Sequence, residues 1–238
     1  MTEIELPGRR KVRHLTLLRE PRRLSSREFN ALPFAERLEM VHHAQGRQKY
    51  NLLLEAADAE ALVRRLPAQE VYLLLKELGP EDSAEMVALA DTAQLTACLD
   101  LDGWRDDLLD EQRSLQWLAL LLEAGEEKVL ETALELEFEL LVLLVRKQLT
   151  VSGGPGDLLE EDALHERRLD GVYDVEYRSE ESAKICGALL DVLFRREREF
   201  YLQLMEAVRW ESPAQIEEEA WHYRCDRLLD LGFPDHVS

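Results

Sequence analysis

The chain is poor in the residues that interrupt regular structure. Its 238 residues include only 11 Gly and 8 Pro, whereas folds made of short strands depend on frequent tight turns that these residues form. Leu, Glu, Ala and Arg are abundant instead, and these residues favour helices. We therefore expect an all-α fold.

Cysteines and long apolar runs are also scarce. Cys98, Cys186 and Cys225 are scattered and form no C-x-x-C pair, so the pattern predicts neither a disulfide framework nor a zinc knuckle. Reduced cysteines are typical of a cytoplasmic protein. No apolar run exceeds six residues, as in Leu140–Val145, and about 20 are needed to cross a bilayer. The sequence predicts no membrane insertion.

Positive charge is concentrated near the N-terminus of a chain whose formal net charge is −20. Residues 1–49 carry 11 Lys and Arg against 6 Asp and Glu, and residues 50–238 carry 18 against 43. Without a broad basic face, nucleic-acid binding is not expected except through the N-terminal arm. The acidic remainder fits a basic protein partner or weak binding of divalent cations.

Four segments follow from the composition. Residues 1–24 form a basic arm, which is either a flexible terminus or a partner- or RNA-binding extension. Residues 25–149 are expected to form a superhelical array of short helices, and residues 150–180 a Gly/Pro linker with a short β-hairpin. Residues 181–238 are expected to form a pair of longer C-terminal helices.

A repeated phrase carries the superhelix prediction. Residues 58–101 divide into the units DAEALVRRL, PAQEVYLLLKEL, GPEDSAEMVALA and DTAQLTACLDL. Each begins with Pro or Asp and continues with apolar residues at helical spacing, so each predicts one helix. Glu81, Asp82 and Asp91 favour the positive ends of these helices. Helices this short must pack on their neighbours, as in a helical solenoid.

The second half is expected to contain longer helices. Leu115 to Leu149 predicts two apolar helices separated near Gly125, and the second, from Val129 to Leu149, would be the central buried helix. LDGVYDVEYRS predicts a hairpin at its Asp-Gly turn.

Two further helices are expected near the C-terminus. Ser182 heads one long helix that reaches Trp210, and Ser212-Pro213 begins a last helix that ends at Gly232. Phe233, an apolar residue beside the end, leads us to expect a fragment whose next element is missing.

The sequence gives only weak evidence for a metal site. DLDGWRDDLLDEQ has acids from Asp100 onward, but Gly103 is in the wrong position for a calcium loop. Gly103 is expected to end a helix, with Trp104 packing at the start of the next.

The histidines offer no better site. His222 and Cys225 supply only two ligands for zinc, the adjacent His42 and His43 point in different directions, and His165 is followed only by a single Glu. The four tryptophans are interpreted as packing residues. We predict no catalytic residue, no metal site and no cofactor.

Residues 58–110, with the phrase LPAQEVYLLLKELGPEDSAEMVALAD, resemble the N-terminal superhelical domain of MgtE-type magnesium transporters, which is similar to the superhelix of a flagellar switch protein. LDGVYDVEYRS and RLLDLGFPD resemble an uncharacterised bacterial family. The transporter resemblance implies a cytoplasmic, acidic regulatory domain that binds magnesium between domains, but no individual ligand can be assigned here.

Three hypotheses result. The first is a non-enzymatic helical scaffold or regulatory interaction domain with a protein partner. The second is a magnesium-responsive regulatory domain. The third, an enzyme of unknown type, would require a pocket with perturbed titratable groups.

Overall fold

A computed structural model describes residues 24–154 and 172–233, apart from the side chains of Pro80 and Glu81. Within these ranges the fold is mostly helical, with two small antiparallel sheets of two strands each. The all-α class with a small hairpin is therefore confirmed. The basic arm, apart from Leu24, and the Asp-Gly turn lie outside the described residues.

The first part of the chain consists of short helices: α1 (Ser26–Asn30), α2 (Phe34–His43), α3 (Gly46–Leu54), α4 (Ala59–Val63), α5 (Ala68–Leu78), α6 (Pro80–Leu89) and α7 (Thr92–Asp102). Helices α4 to α7 match the four predicted units. Asp91 caps α7, since its carboxylate accepts from the backbone N–H of Gln94 at 2.8 Å and its own backbone N–H donates to Oε1 of Gln94 at 3.1 Å.

The second part combines helices with both sheets: β1 (Trp104–Arg105), β2 (Leu108–Leu109), α8 (Glu111–Glu123), α9 (Glu126–Glu135), α10 (Phe138–Arg146), β3 (Leu149–Gly153), β4 (Tyr173–Tyr177), α11 (Glu180–Arg196), α12 (Arg198–Trp210) and α13 (Pro213–Asp230).

The central helix predicted from Val129 to Leu149 is wrong, because this segment contains α9, α10 and the start of β3. Leu136 and Glu137 have extended backbone, with ψ of 148° and 128°. The break turns the chain so that all six residues of Leu140–Val145 are buried in α10, and Glu137 contacts Arg227 of α13.

The single helix predicted from Ser182 to Trp210 is also wrong. The observed helix α11 begins at Glu180, where Ser179 caps it. The helical backbone breaks at Glu197, where φ is −137° and ψ is 64°. The break folds α12 back on α11, so that the rings of Phe194 and Tyr201 pack edge to face with centroids 5.3 Å apart.

The predicted hairpin is present as β3 and β4, which pair antiparallel from Leu149↔Tyr177 to Gly153↔Tyr173. The strand partner of β4 is β3, which lies on the N-terminal side of residue 154, so the pairing joins segments that are distant in sequence. Trp104 likewise lies in β1 rather than at a helix start, although Gly103 does end α7.

Two apolar clusters form the core. The N-terminal cluster contains buried side chains from Phe29 to Cys98, and the C-terminal cluster contains buried side chains from Leu99 to Ala220. Trp117 and Leu121 of α8 pack against both clusters, so α8 joins them. No helix within the described ranges is both long and apolar enough to span a membrane.

Candidate interaction surface

An open groove of about 710 Å³ lies beside α12. We call it the acidic aromatic groove, and its lining residues are Phe138, Tyr173, Leu202, Gln203, Glu206, Ala207, Trp210 and Glu211. They come from α10, β4 and α12 and the residue that follows α12. The groove therefore depends on the helix breaks and the strand pairing described above.

Helix α12 positions most of the groove. Its buried face consists of Tyr201, Leu204, Met205 and Val208, at the spacing of one helical stripe. Trp210 is the last helical residue and lies on the opposite side of α12 from Tyr201. The Trp210 side chain therefore faces solvent, and 69% of its surface is exposed.

The end of α12 is fixed from outside the helix. The Arg146 guanidinium donates to the carbonyl oxygens of Val208 at 2.7 Å and of Glu211 at 2.6 Å. Helix ends leave carbonyl groups without intrahelical partners, and this arginine satisfies two such acceptors. The backbone that carries Trp210 is therefore held in place although its side chain is exposed.

The Trp210 ring is oriented by its neighbours. Its indole Nε1–H donates to Oε2 of Glu206 at 3.0 Å, and the Arg209 guanidinium lies 4.3 Å from the ring centroid. Tyr173, which is almost fully buried, donates from its hydroxyl to Oε1 of Glu206 at 2.6 Å. Both carboxylate oxygens of Glu206 are thus engaged, and an exposed aromatic ring is presented in a defined orientation.

Gly154 packs closely against Arg209 and Glu206, the two side chains that orient the Trp210 ring. Its φ of +148° disfavours residues with a side chain, and a Cβ atom at this position would overlap the Arg209 guanidinium and contact Glu206. Of the first two glycines of the predicted linker, Gly153 therefore ends β3 and Gly154 packs against α12. Pro155 and Gly156 lie outside the described residues.

Negative charge is crowded at one end of the groove. The pKa of Glu211 is raised by burial, and the nearby carboxylates of Glu139 and Glu219 raise it further, while Arg146 partly offsets them. The two carboxylates contribute to this upward shift because like charges disfavour ionisation of Glu211. A cationic group placed here would lower that electrostatic cost.

The acids of the calcium-like segment have other roles. Asp100 is fully buried and accepts from Arg227 Nε at 2.7 Å and Nη2 at 2.8 Å. Asp102 accepts from Lys76 Nζ at 2.8 Å, and Asp110 caps α8. Among the residues that the structure describes, no three His, Cys, Asp or Glu side chains are grouped to hold a metal ion.

The other candidate ligands are dispersed. His42 contacts Glu70 through Nδ1 at 2.9 Å, and His43 lies on an exposed face. His222 is exposed and Cys225 partly buried. His165 lies outside the described residues.

Trp210 is the residue that the sequence interpretation missed. Trp104 is buried and packs against Trp221 at a centroid distance of 5.8 Å, and Trp117 contacts both apolar clusters, as expected of packing residues. Trp210 does not pack in this way. The sequence could have indicated this exposure, because Trp210 lies off the apolar stripe of α12.

Comparison with known proteins places the chain in a family without assigning an activity. The sequence profile of a family of unknown function, DUF6178, matches residues 26–237. No curated protein matches the chain significantly. No solved structure does so either.

Proposed function

Because the chain belongs to the DUF6178 family, whose function is unknown, we propose its function from its geometry: a non-enzymatic interaction module that binds a basic protein segment. The acidic aromatic groove is the binding surface. The observation that carries the proposal is the exposed but oriented ring of Trp210 beside the crowded carboxylates of Glu211 and Glu139.

The groove chemistry defines the partner. Phe138, Leu202 and Trp210 offer apolar and aromatic surface, which would pack against an apolar side chain of the partner. Lys or Arg beside that side chain would pair with Glu211 and relieve its repulsion from Glu139 and Glu219. Tryptophan is among the residues that most often dominate binding energies at interfaces. The occupant is therefore a segment with an apolar anchor next to basic residues.

The net charge supports the same partner. Residues 50–238 carry 18 basic against 43 acidic side chains, so a positively charged segment would be attracted over a long range. Cys98, Cys186 and Cys225 form no disulfide within the described residues, and this supports placing the module in the cytoplasm. The superhelical geometry and the relation to magnesium-transporter domains remain hypotheses.

The magnesium-responsive alternative has less support from the geometry. Asp100 and Asp102 are bonded to Arg227 and Lys76, so a cation at this segment would have to displace a basic side chain. Titration with magnesium alone distinguishes the hypotheses, because the interaction module needs no cation to bind its partner.

A peptide-binding assay tests the proposal. The probe is a fluorescein-labelled synthetic peptide of alternating arginine and leucine residues, and its comparison peptide has glutamate in place of each arginine. Fluorescence anisotropy should show saturable binding of the basic peptide. Trp210→Ala should weaken it by about thirtyfold, in the range of an interface hot spot.

The matched control is Leu73→Ala. Leu73 is also a large exposed side chain, at 59%, but it lies on α5 away from the groove lining. Equal weakening by the two variants, or equal binding of the acidic peptide, would refute the assignment of the groove.

A further inference from the structure

A second cavity lies inside the molecule, between helices α6, α7, α8, α9, α10 and α11. Its volume is about 70 Å³, and its lining is formed almost entirely by apolar side chains, including Leu118, Val129 and Leu144. Trp117 and Leu121 also line it, and both contact the two apolar clusters. The cavity is thus located where the two parts of the core meet.

Two threonines line this cavity, and they differ in one respect. The hydroxyl of Thr96 donates to the carbonyl oxygen of Thr92 at 2.7 Å. The hydroxyl of Thr132 is buried and has no hydrogen-bond partner among the described residues. Thr132 is only 7% exposed, and a buried hydroxyl without a partner costs about 1–3 kcal/mol.

A single water molecule in this cavity would find few strong hydrogen-bond partners. A buried water makes about two to four hydrogen bonds to protein groups. The wall offers it the Thr132 hydroxyl, the acceptor lone pairs that Thr96 keeps, and the weakly bonding thiol of Cys186. The remaining wall is apolar and would leave the other hydrogen-bonding sites of the water unpaired. A molecule that is mostly apolar but carries one polar group matches the wall better.

We propose that this cavity binds a small neutral molecule of the short-chain alcohol class, whose hydroxyl group pairs with Thr132. The size follows from comparison with apolar cavities of about 150 Å³, which admit benzene. A cavity of about 70 Å³ takes a smaller molecule with a short alkyl chain. Because this site is internal, the inference is independent of the acidic aromatic groove.

The test uses two probes that separate shape from hydrogen bonding. Xenon reports the apolar space alone, and propan-1-ol reports the space together with the hydroxyl partner. Both are titrated into the full chain, and binding is followed by the methyl NMR signals of Leu118, Val129 and Leu144. Saturable shifts of these methyl groups by both probes are the expected result.

Two isosteric substitutions provide the decisive comparison. Thr132→Val should leave xenon binding unchanged and weaken propan-1-ol binding by about fivefold, the equivalent of one net hydrogen bond. Thr96→Val removes a hydroxyl from the same cavity, but one that already has a partner, and it should leave the binding of both probes unchanged.

The possible outcomes are distinct. Absence of methyl shifts with xenon would overturn the cavity as a binding site. Equal effects of Thr132→Val and Thr96→Val on propan-1-ol, or no effect of either, would overturn the role of the Thr132 hydroxyl. Ala133→Val, which adds volume to the cavity wall, should reduce binding of both probes, and unchanged binding would place the probes elsewhere.

Discussion

The hydroxyl of Tyr173 donates a 2.6 Å hydrogen bond to Oε1 of Glu206, and this bond joins β4 to α12 below the acidic aromatic groove. Glu206 in turn accepts from the indole of Trp210 through its other carboxylate oxygen. A buried strand residue therefore sets the orientation of an exposed tryptophan. The orientation of side chains in the groove is therefore fixed by hydrogen bonds that reach a buried residue.

This bond should contribute measurably to stability. Tyr173→Phe removes the hydroxyl and should lower the free energy of unfolding by about 1.5–3 kcal/mol, the range of a hydrogen bond to a charged group. Urea denaturation followed by circular dichroism measures the change.

Tyr177→Phe is its matched control on the same strand, since no hydrogen bond from the Tyr177 hydroxyl is found within the described ranges. It should change the unfolding free energy by less than about 0.5 kcal/mol. Similar losses for both variants would show that the Tyr173 hydroxyl has no special role.

The carboxylate of Glu211 should strengthen binding of the basic peptide but lower the stability of the fold. Burial and the nearby carboxylates of Glu139 and Glu219 raise its pKa in the folded state. A carboxyl with a raised folded-state pKa destabilises the fold while it is charged, so this cost is present at neutral pH and disappears as the pH falls below the usual value near 4.5. Glu211→Gln should therefore leave the melting temperature at pH 7 unchanged or higher.

The same substitution should weaken binding of the basic peptide, because it removes a carboxylate that faces the cation. In the unsubstituted protein, peptide affinity should fall as the pH decreases and Glu211 becomes protonated. Anisotropy titrations over this pH range measure the effect. Glu36→Gln, an exposed acid on α2, is the control, and an equal loss of affinity there would indicate only a general charge effect.

The contact between α7 and α13 depends on a buried ion pair. Asp100 is fully buried, and Arg227 holds its carboxylate through two nitrogens. Asp100→Asn should destabilise the fold by about 1–3 kcal/mol, because the amide keeps only one acceptor oxygen for the two guanidinium nitrogens, while Arg227 retains Glu137. Asp191→Asn disrupts the exposed pair with Arg195 and should cost no more than about 1 kcal/mol.

Thermal and urea denaturation of the two variants provide the comparison. If Asp100→Asn costs no more than Asp191→Asn, the ion pair between α7 and α13 would not be a major source of stability.

The sequence predicted the short helices well because their start signals are local. Pro67, the Gly79-Pro80 pair and Asp91 each act within one helical turn, and α5, α6 and α7 begin where these residues indicate. The breaks at Glu137 and Glu197 have no such signal. Neither involves Gly or Pro, and the break at Glu137 is accompanied by a contact with a distant helix, that of Arg227 with Glu137.

The groove could be predicted only in part, for the same reason. Pairing of β4 with β3 brings together residues separated by the whole Gly/Pro segment, and sequence spacing does not encode a strand partner. The position of Trp210 off the apolar stripe of α12 was visible in the sequence, but its bonds to Glu206 and the link from Glu206 to Tyr173 required the fold.

The most direct test of the proposed function is an NMR titration that follows the indole N–H signals. The chain contains Trp104, Trp117, Trp210 and Trp221, so each tryptophan reports on one location. Addition of the peptide of alternating arginine and leucine residues should shift the Trp210 signal to saturation and leave those of Trp104 and Trp117 unchanged. Binding of the peptide with no change at Trp210 would contradict the assignment of the acidic aromatic groove as the partner surface.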